Sequence, residues 1–180
     1  MVIHHQHPQA DAQREQAWLE YLAPEFARFG ATAPARLQAV YPSALGNTAL
    51  QQLILAQRPA VVSFHFGLPE PDFLVALKAY GCITLACATD LDEALAIEQA
   101  GIDVVIAQGV EAGGHRGVFD PARDQMLGTL ALVQLLVQRT RLPVVAAGGI
   151  MDGQGIAAAL ELGACAVQMG TAFILCPESA

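Results

Sequence analysis

The stretch PVVAAGGIMDGQGIAAALELGACAVQMG, from Pro143 to Gly170, contains one complete unit of the fold. It opens on an apolar run around Val144 and Val145, passes a glycine pair, and enters an alanine-rich segment bounded by Asp152 and Gly163 before a second short apolar run. β-Branched residues suit a pleated, buried surface, whereas alanine, leucine and isoleucine at helical spacing suit a helix. Asp152 is a favourable N-cap and Gly163 a favourable terminator. The stretch predicts strand, helix, strand, and the intervening helix makes the two strands parallel.

The same alternation recurs upstream. Strand candidates are AVVSFHF (60–66), CITLACA (82–88), DVVIAQ (103–108), PVVAAG (143–148) and CAVQMG (165–170). Between them PDFLVALKAYG and DLDEALAIEQAG read as helices, the second with Asp90 as N-cap, Glu93 completing a capping box and Gly101 as terminator. A further helix is expected from Asp124 to Gln138, with Leu132, Leu135 and Leu136 on one face. A parallel array with right-handed crossovers is either an open doubly wound sheet or part of a (β/α)8 barrel. Residues 1–59 differ: REQAWLEYLAPEFARFG and NTALQQLILAQRP are amphipathic, with Pro24, Pro34 and Pro42 expected to break the run. The expected organisation is a helical lead-in over 1–59, followed by the strand–helix array over 60–180.

Composition narrows the function. A chain of 180 residues, 54% hydrophobic and 14% charged, has the core of one globular domain and is neither disordered nor coiled coil. Its net charge of −8 falls wholly in residues 61–180, with five basic against thirteen acidic residues, which excludes a nucleic-acid-binding surface. An anion must then be bound by backbone amides. No apolar run has the length of a membrane span, and MVIHHQHPQADAQREQ lacks the pattern of a secretory signal, so a cytoplasmic setting is expected. Cys82, Cys87, Cys165 and Cys176 are expected to be free thiols, three of them in or beside buried strands. Cys82 and Cys87 lie on opposite faces of one strand, and His4, His5 and His7 lack a companion carboxylate, so no metal site is expected. Unpaired edges at residues 61–66 and 166–169 would invite pairing, which predicts a homo-oligomer.

Two glycine features carry chemistry. Gly148 and Gly149 follow a strand and precede a helix, and Gly170 and Thr171 repeat the arrangement one strand later. Adjacent strand ends with free amides, a hydroxyl and a helix N-terminus form a phosphate cradle without a lysine, where barrels commonly bind phosphate. VIAQGVEAGGHRG (105–117) leaves a strand through Gly109, Gly113 and Gly114 and delivers His115, an imidazole suited to proton transfer near neutral pH. Arg116 reads as a loop ion pair and Glu111 as a residue that holds the loop.

In that order, VVSFHFG, ITLACAT, GIDVVIAQGVEAGGHRG, LPVVAAGGIMDGQGIAAAL and GACAVQMGTAFILCPES resemble the nitronate monooxygenase family, formerly called 2-nitropropane dioxygenases, over essentially all of residues 60–180. The resemblance implies an α/β fold of TIM (β/α)8-barrel type. It is incomplete here, with about five parallel strands and the family's first strands missing, although MVIHHQHP resembles the tail of its third strand. It implies FMN as cofactor and alkyl nitronates and dioxygen as substrates, giving a carbonyl compound and nitrite. By the same resemblance Gln108 approaches the flavin ring, and Gly113 and Gly114 bring backbone close to the cofactor. Gly148, Gly149, Gln168, Met169, Gly170 and Thr171 match phosphate and ribityl contacts. His115 matches the catalytic residue that faces the substrate, and Ser63 and His65 line the same pocket. Two other readings stand beside this one: an FMN-dependent enoyl reductase, which would need a nicotinamide cofactor, and a non-catalytic barrel fragment. The FHFG and EAGGHRG segments favour the nitronate side.

Overall fold

Parallel strands and helices alternate along the chain in the computed structural model, which describes residues 2–4, 11–38, 43–174 and 176–179. The strands are β1 (Val2–His4), β2 (Val61–His65), β3 (Ile83–Ala88), β4 (Val104–Gln108), β5 (Val144–Ala147) and β6 (Ala166–Gln168). The helices are α1 (Ala12–Arg28), α2 (Thr48–Gln57), α3 (Pro71–Lys78), α4 (Leu91–Ala100), α5 (Thr129–Arg139), α6 (Gly153–Glu161) and the short α7 (Thr171–Ile174). The sheet order is β1 to β6 without reversal, every pair parallel. A doubly wound sheet reverses its strand order at a switch point, whereas a barrel adds each strand beside the last. The winding is therefore that of a TIM-type barrel, incomplete in this chain.

One compact unit takes in Met1–Gln6 and Ser43–Ala180, the other His7–Pro42. The segment 1–59 is thus shared: β1 and α2 go with the sheet, and α1 forms the second unit. In that unit Pro24 lies inside α1 instead of ending it. The helix runs 17 residues and is capped at its start by Asp11, which accepts from the amides of Gln13 and Arg14. The strand edge expected at 61–66 is covered, because Val2, Ile3 and His4 pair with Ser63, Phe64 and His65. His5 and His7 lie outside the described residues, as does the His4 side chain.

The register sorts the strand residues into two faces. Val62, Phe64, Ala86, Ala88, Val105, Ala107, Val144 and Ala146 are buried under the helices, with Leu77, Ile97, Leu132 and Leu136 packed onto them. The opposite face carries Ser63, His65, Leu85, Cys87, Ile106, Gln108, Ala147 and Gln168. Cys82 and Cys87 are buried and fall on opposite faces, and all four cysteines are free thiols. Cys165 is exposed, contrary to its expected burial, because β6 ends the sheet and its residues are half-buried at most.

Helix starts follow the local chemistry. Pro71 occupies the first turn of α3, Asp90 caps α4 and Asp152 caps α6 through the Gly155 amide. Helix α5 begins at Thr129, five residues later than expected from Asp124. Its N-cap, Gly128, has no side chain to offer, and the Glu111 carboxylate, from the start of the same β4–α5 connection, accepts from the Thr129 amide at 2.8 Å. Among the described residues no helix is long and apolar enough to cross a membrane.

Candidate functional site

The carboxyl ends of β4, β5 and β6 surround a cleft of about 300 Å³, at the lower end of the range for small-molecule sites. Its lining includes Gln108, Gly113, Gly114, Gly148, Gly149, Gln168, Met169, Gly170 and Thr171, so the nine residues expected from the sequence to contact a cofactor come together around one space. Ala112, Ala147, Ile150, Met151 and Ile174 complete it. Sequence reasoning missed these five, although Ile150 and Met151 directly follow the glycine pair that marked the site.

Glycine conformation shapes this lining. Gly148 and Gly149 have φ of 113° and 69°, a left-handed region that side chains rarely adopt, and they turn the chain from β5 toward α6. A Cβ on Gly149 would lie 2.9 Å from the Glu111 Cβ, because the loop after β4 packs against the glycine pair. Gly114 and Gly170 differ, since a Cβ at either would meet nothing within 4 Å. The lining contains no lysine, arginine, aspartate or glutamate. With no cation in the wall, an anion there would depend on backbone N–H groups and the Thr171 hydroxyl.

The loop after β4 is cross-braced. Gln108 Nε2 donates to the His115 carbonyl at 2.9 Å, and Gln108 Oε1 accepts from the Gly117 amide at 2.6 Å. Arg116 donates to both Asp124 oxygens, at 2.9 and 3.0 Å, and to the Gln108 carbonyl. This is the loop ion pair expected of Arg116, and it holds the Asp124 carboxyl below the usual range. Glu111 holds the loop as expected, its oxygens accepting from the Thr129 amide and hydroxyl. Burial pushes the Glu111 carboxyl up, but its own amide, Thr129 and the Arg116 charge outweigh that and leave it low. The Thr129 hydroxyl also lies 2.9 Å from the Gly148 carbonyl, so it stands within hydrogen-bond reach of both the loop carboxylate and the glycine turn.

His115 is exposed and stands outside the cleft lining. Its ring meets Phe66 edge-on, with centroids 6.2 Å apart and planes at 90°. Phe66 is 9% exposed and has φ of 66°, a strained conformation for a bulky residue of the kind that clusters at functional sites. Ser63 Oγ lies 3.0 Å from His65 Nε2 on β2, and the His65 and Phe66 rings are 6.4 Å apart. Ser63, His65, Phe66 and His115 thus form a second group, beside β2, distinct from the cleft residues.

Cys87, beneath the loop, offers no thiolate: burial, then the Glu93 charge, push its pKa up to about 12, with Arg116 opposing. Among the described residues no three His, Cys, Asp or Glu side chains cluster as metal ligands.

Residues 23–180 match the family model described as nitronate monooxygenase. A nitronate monooxygenase of Pseudomonas aeruginosa is 62% identical over 176 residues, which are 97% of this chain and 50% of the relative. One of Paraburkholderia phytofirmans is 57% identical over 99% of this chain and 49% of its own length. The chain spans about half the length of these curated relatives. Among solved structures, a nitroalkane oxidase from Streptomyces ansochromogenes superposes with a TM-score of 0.83 at 38% identity, over 96% of this chain and 49% of the other. FabK from Thermotoga maritima superposes with a TM-score of 0.62 at 32% identity, over 87% of this chain and 47% of the other.

Proposed function

The chain belongs to the nitronate monooxygenase family, and on that premise we propose that its cleft holds FMN and that it carries the later part of a site oxidising alkyl nitronates with dioxygen to a carbonyl compound and nitrite. The observation that supports this most is the convergence of Gly113, Gly114, Gly148, Gly149 and the Gln168 to Thr171 run on one uncharged, glycine-rich cleft.

The residues present fit such a group. Open space at Gly114 and Gly170 leaves bare backbone toward the cleft, and the Thr171 hydroxyl adds a neutral donor. Gly148, Gly149, Gly170 and Thr171 would hold the phosphate, and Gln168 and Met169 the ribityl chain. Gln108, Gly113 and Gly114 would border the ring. Bound FMN would supply the two-electron chemistry that neither imidazole nor amide can perform.

The chain's own groups bind and orient. A nitronate is an anion, and a protonated His115 would donate to one of its oxygens. With a neutral nitroalkane, the unprotonated imidazole would accept the α-proton instead. Ser63 and His65 would line the substrate side, their mutual hydrogen bond fixing the imidazole of His65. The low charge of the lining leaves few competitors for the anion.

Titration of the purified chain with FMN tests the reading. Saturable quenching of flavin fluorescence, with intact FMN released on denaturation, supports it. Absence of binding by a folded chain would instead favour the non-catalytic fragment.

A further inference from the structure

We propose that Glu93, a buried carboxylate outside the cleft, is a positioning residue that fixes the His115 loop against the end of β3; this rests on the reading of His115 given above. Glu93 is 7% exposed, and burying a charge is costly unless hydrogen bonds surround it. Its Oε2 accepts from the Thr89 amide at 2.6 Å and the Thr89 hydroxyl at 2.8 Å, while Oε1 accepts from the Phe119 amide at 2.6 Å. One carboxylate therefore bridges the β3–α4 corner and the descending limb of the loop that carries His115.

Helix capping does not explain this arrangement. In a capping box the third helical residue bonds back to the amide of the N-cap. Here Asp90 Oδ1 accepts from the Glu93 amide at 2.9 Å, but the returning half goes elsewhere, to Thr89 and Phe119. This corrects the capping box expected from the sequence: one oxygen goes to the Thr89 amide and hydroxyl, one residue before the N-cap, and the other to the Phe119 amide, 26 residues downstream. Asp90 already caps α4, so the Glu93 side chain is free to serve the loop.

The ties fall on alternate residues. The His115 carbonyl and the Gly117 amide bond to Gln108, and the Phe119 amide to Glu93. Gln108 belongs to β4, the loop's own strand, whereas Glu93 belongs to the preceding βα unit. The start of the loop is tied to α5 through Glu111 and Thr129, and its middle to β4 through Gln108; the bond to Glu93 adds a fixed point on the preceding βα unit, next to the limb that follows His115. A second link, Gln125 Nε2 to Asp90 Oδ2 at 3.2 Å, joins the same corner further along. Burial raises the Glu93 carboxyl and the Asp90 charge adds to that, while the Phe119 and Thr89 donors pull it back.

The test is Glu93→Gln, which keeps the volume but turns an NH2 toward one of the amide donors. Amide exchange is measured on the chain as it is, and turnover of a nitronate on the FMN-supplemented chain beside His115→Ala. The expected result is exchange at residues 115–119 about tenfold faster or more, unchanged exchange within α4, unchanged FMN affinity and kcat lowered about tenfold. Thr89→Val, which removes one donor and leaves the Phe119 bond, should give a smaller change of the same kind, and serves if Glu93→Gln does not fold. Unchanged exchange at 115–119 in both variants overturns the proposal. Faster exchange with unchanged kcat overturns it as well, provided His115→Ala is impaired. Full activity of His115→Ala would instead count against the reading of His115, and the exchange data alone would then judge the brace.

Discussion

Gln108 Nε2 donates to the main-chain oxygen of His115 across 2.9 Å, so the last residue of β4 holds the segment that carries the exposed imidazole seven residues later. The same side chain accepts from Gly117, which leaves the amide engaged on both atoms while it borders the cleft. Replacing it by methionine keeps the length and removes both bonds. The Gly117 amide is buried, and leaving such a donor unpaired costs about 1–3 kcal/mol. Gln108→Met should therefore lower the denaturation midpoint and speed exchange at residues 115–117. An unchanged midpoint with unchanged exchange would show that the loop is held without it.

Gly170 offers the cleanest probe of the cleft. Gly149→Asp would place a carboxylate there too, but at φ of 69° and against the Glu111 Cβ, so it would also disturb the loop. At Gly170 a Cβ meets nothing within 4 Å. Gly170→Asp should leave thermal stability within about 0.5 kcal/mol, as for surface changes away from packing contacts, and sharply weaken FMN binding through charge repulsion. Isothermal titration with FMN decides it, and undiminished affinity would remove Gly170 from the phosphate contacts.

Acid should loosen the fold through three carboxylates. The Arg116 guanidinium holds Asp124 low; at Asp103 burial pushes up, but the Lys78 ammonium and the Thr84 donors prevail, and Glu111 is also low. A folded pKa below the unfolded one gives stability that is full above the unfolded pKa and lost as pH falls through the folded pKa. Glu93 has the opposite sign: raised by burial, its contribution is full below the unfolded pKa and lost as pH rises through the folded value. The melting temperature should fall below roughly pH 4, the ordinary carboxylate range, and Asp124→Asn should flatten that limb. A melting curve equally steep in acid after Asp124→Asn would discount the Arg116 pair.

The sheet was legible because burial on two faces leaves unbroken apolar runs such as Val104 to Ala107, and because Asp90, Asp152, Gly101 and Gly163 punctuate the helices. The sequential strand order was not, since the same alternation of strands and helices serves open sheets and barrels alike. The cleft glycines could be found because turns after strands demand them. The roles of Glu93 and Thr129 could not, because each bonds to a partner 18 or more residues away and local spacing suggests only a cap or a helix start. Pro24 misled for a similar reason: a proline disfavours a helix interior, yet α1 continues through it.

If His115 acts on the substrate while the glycine-rich cleft holds the cofactor, oxygen consumption by FMN-supplemented His115→Ala, with a nitronate and with the parent nitroalkane, shows it most directly. FMN affinity should equal that of the unaltered chain. Turnover should be lower by about 10²–10⁴-fold, the span typical of a lost acid–base group, with the larger loss on the nitroalkane if His115 removes the α-proton. Full oxygen consumption with both substrates in the flavin-loaded variant would contradict it and leave His115 a loop residue packed against Phe66.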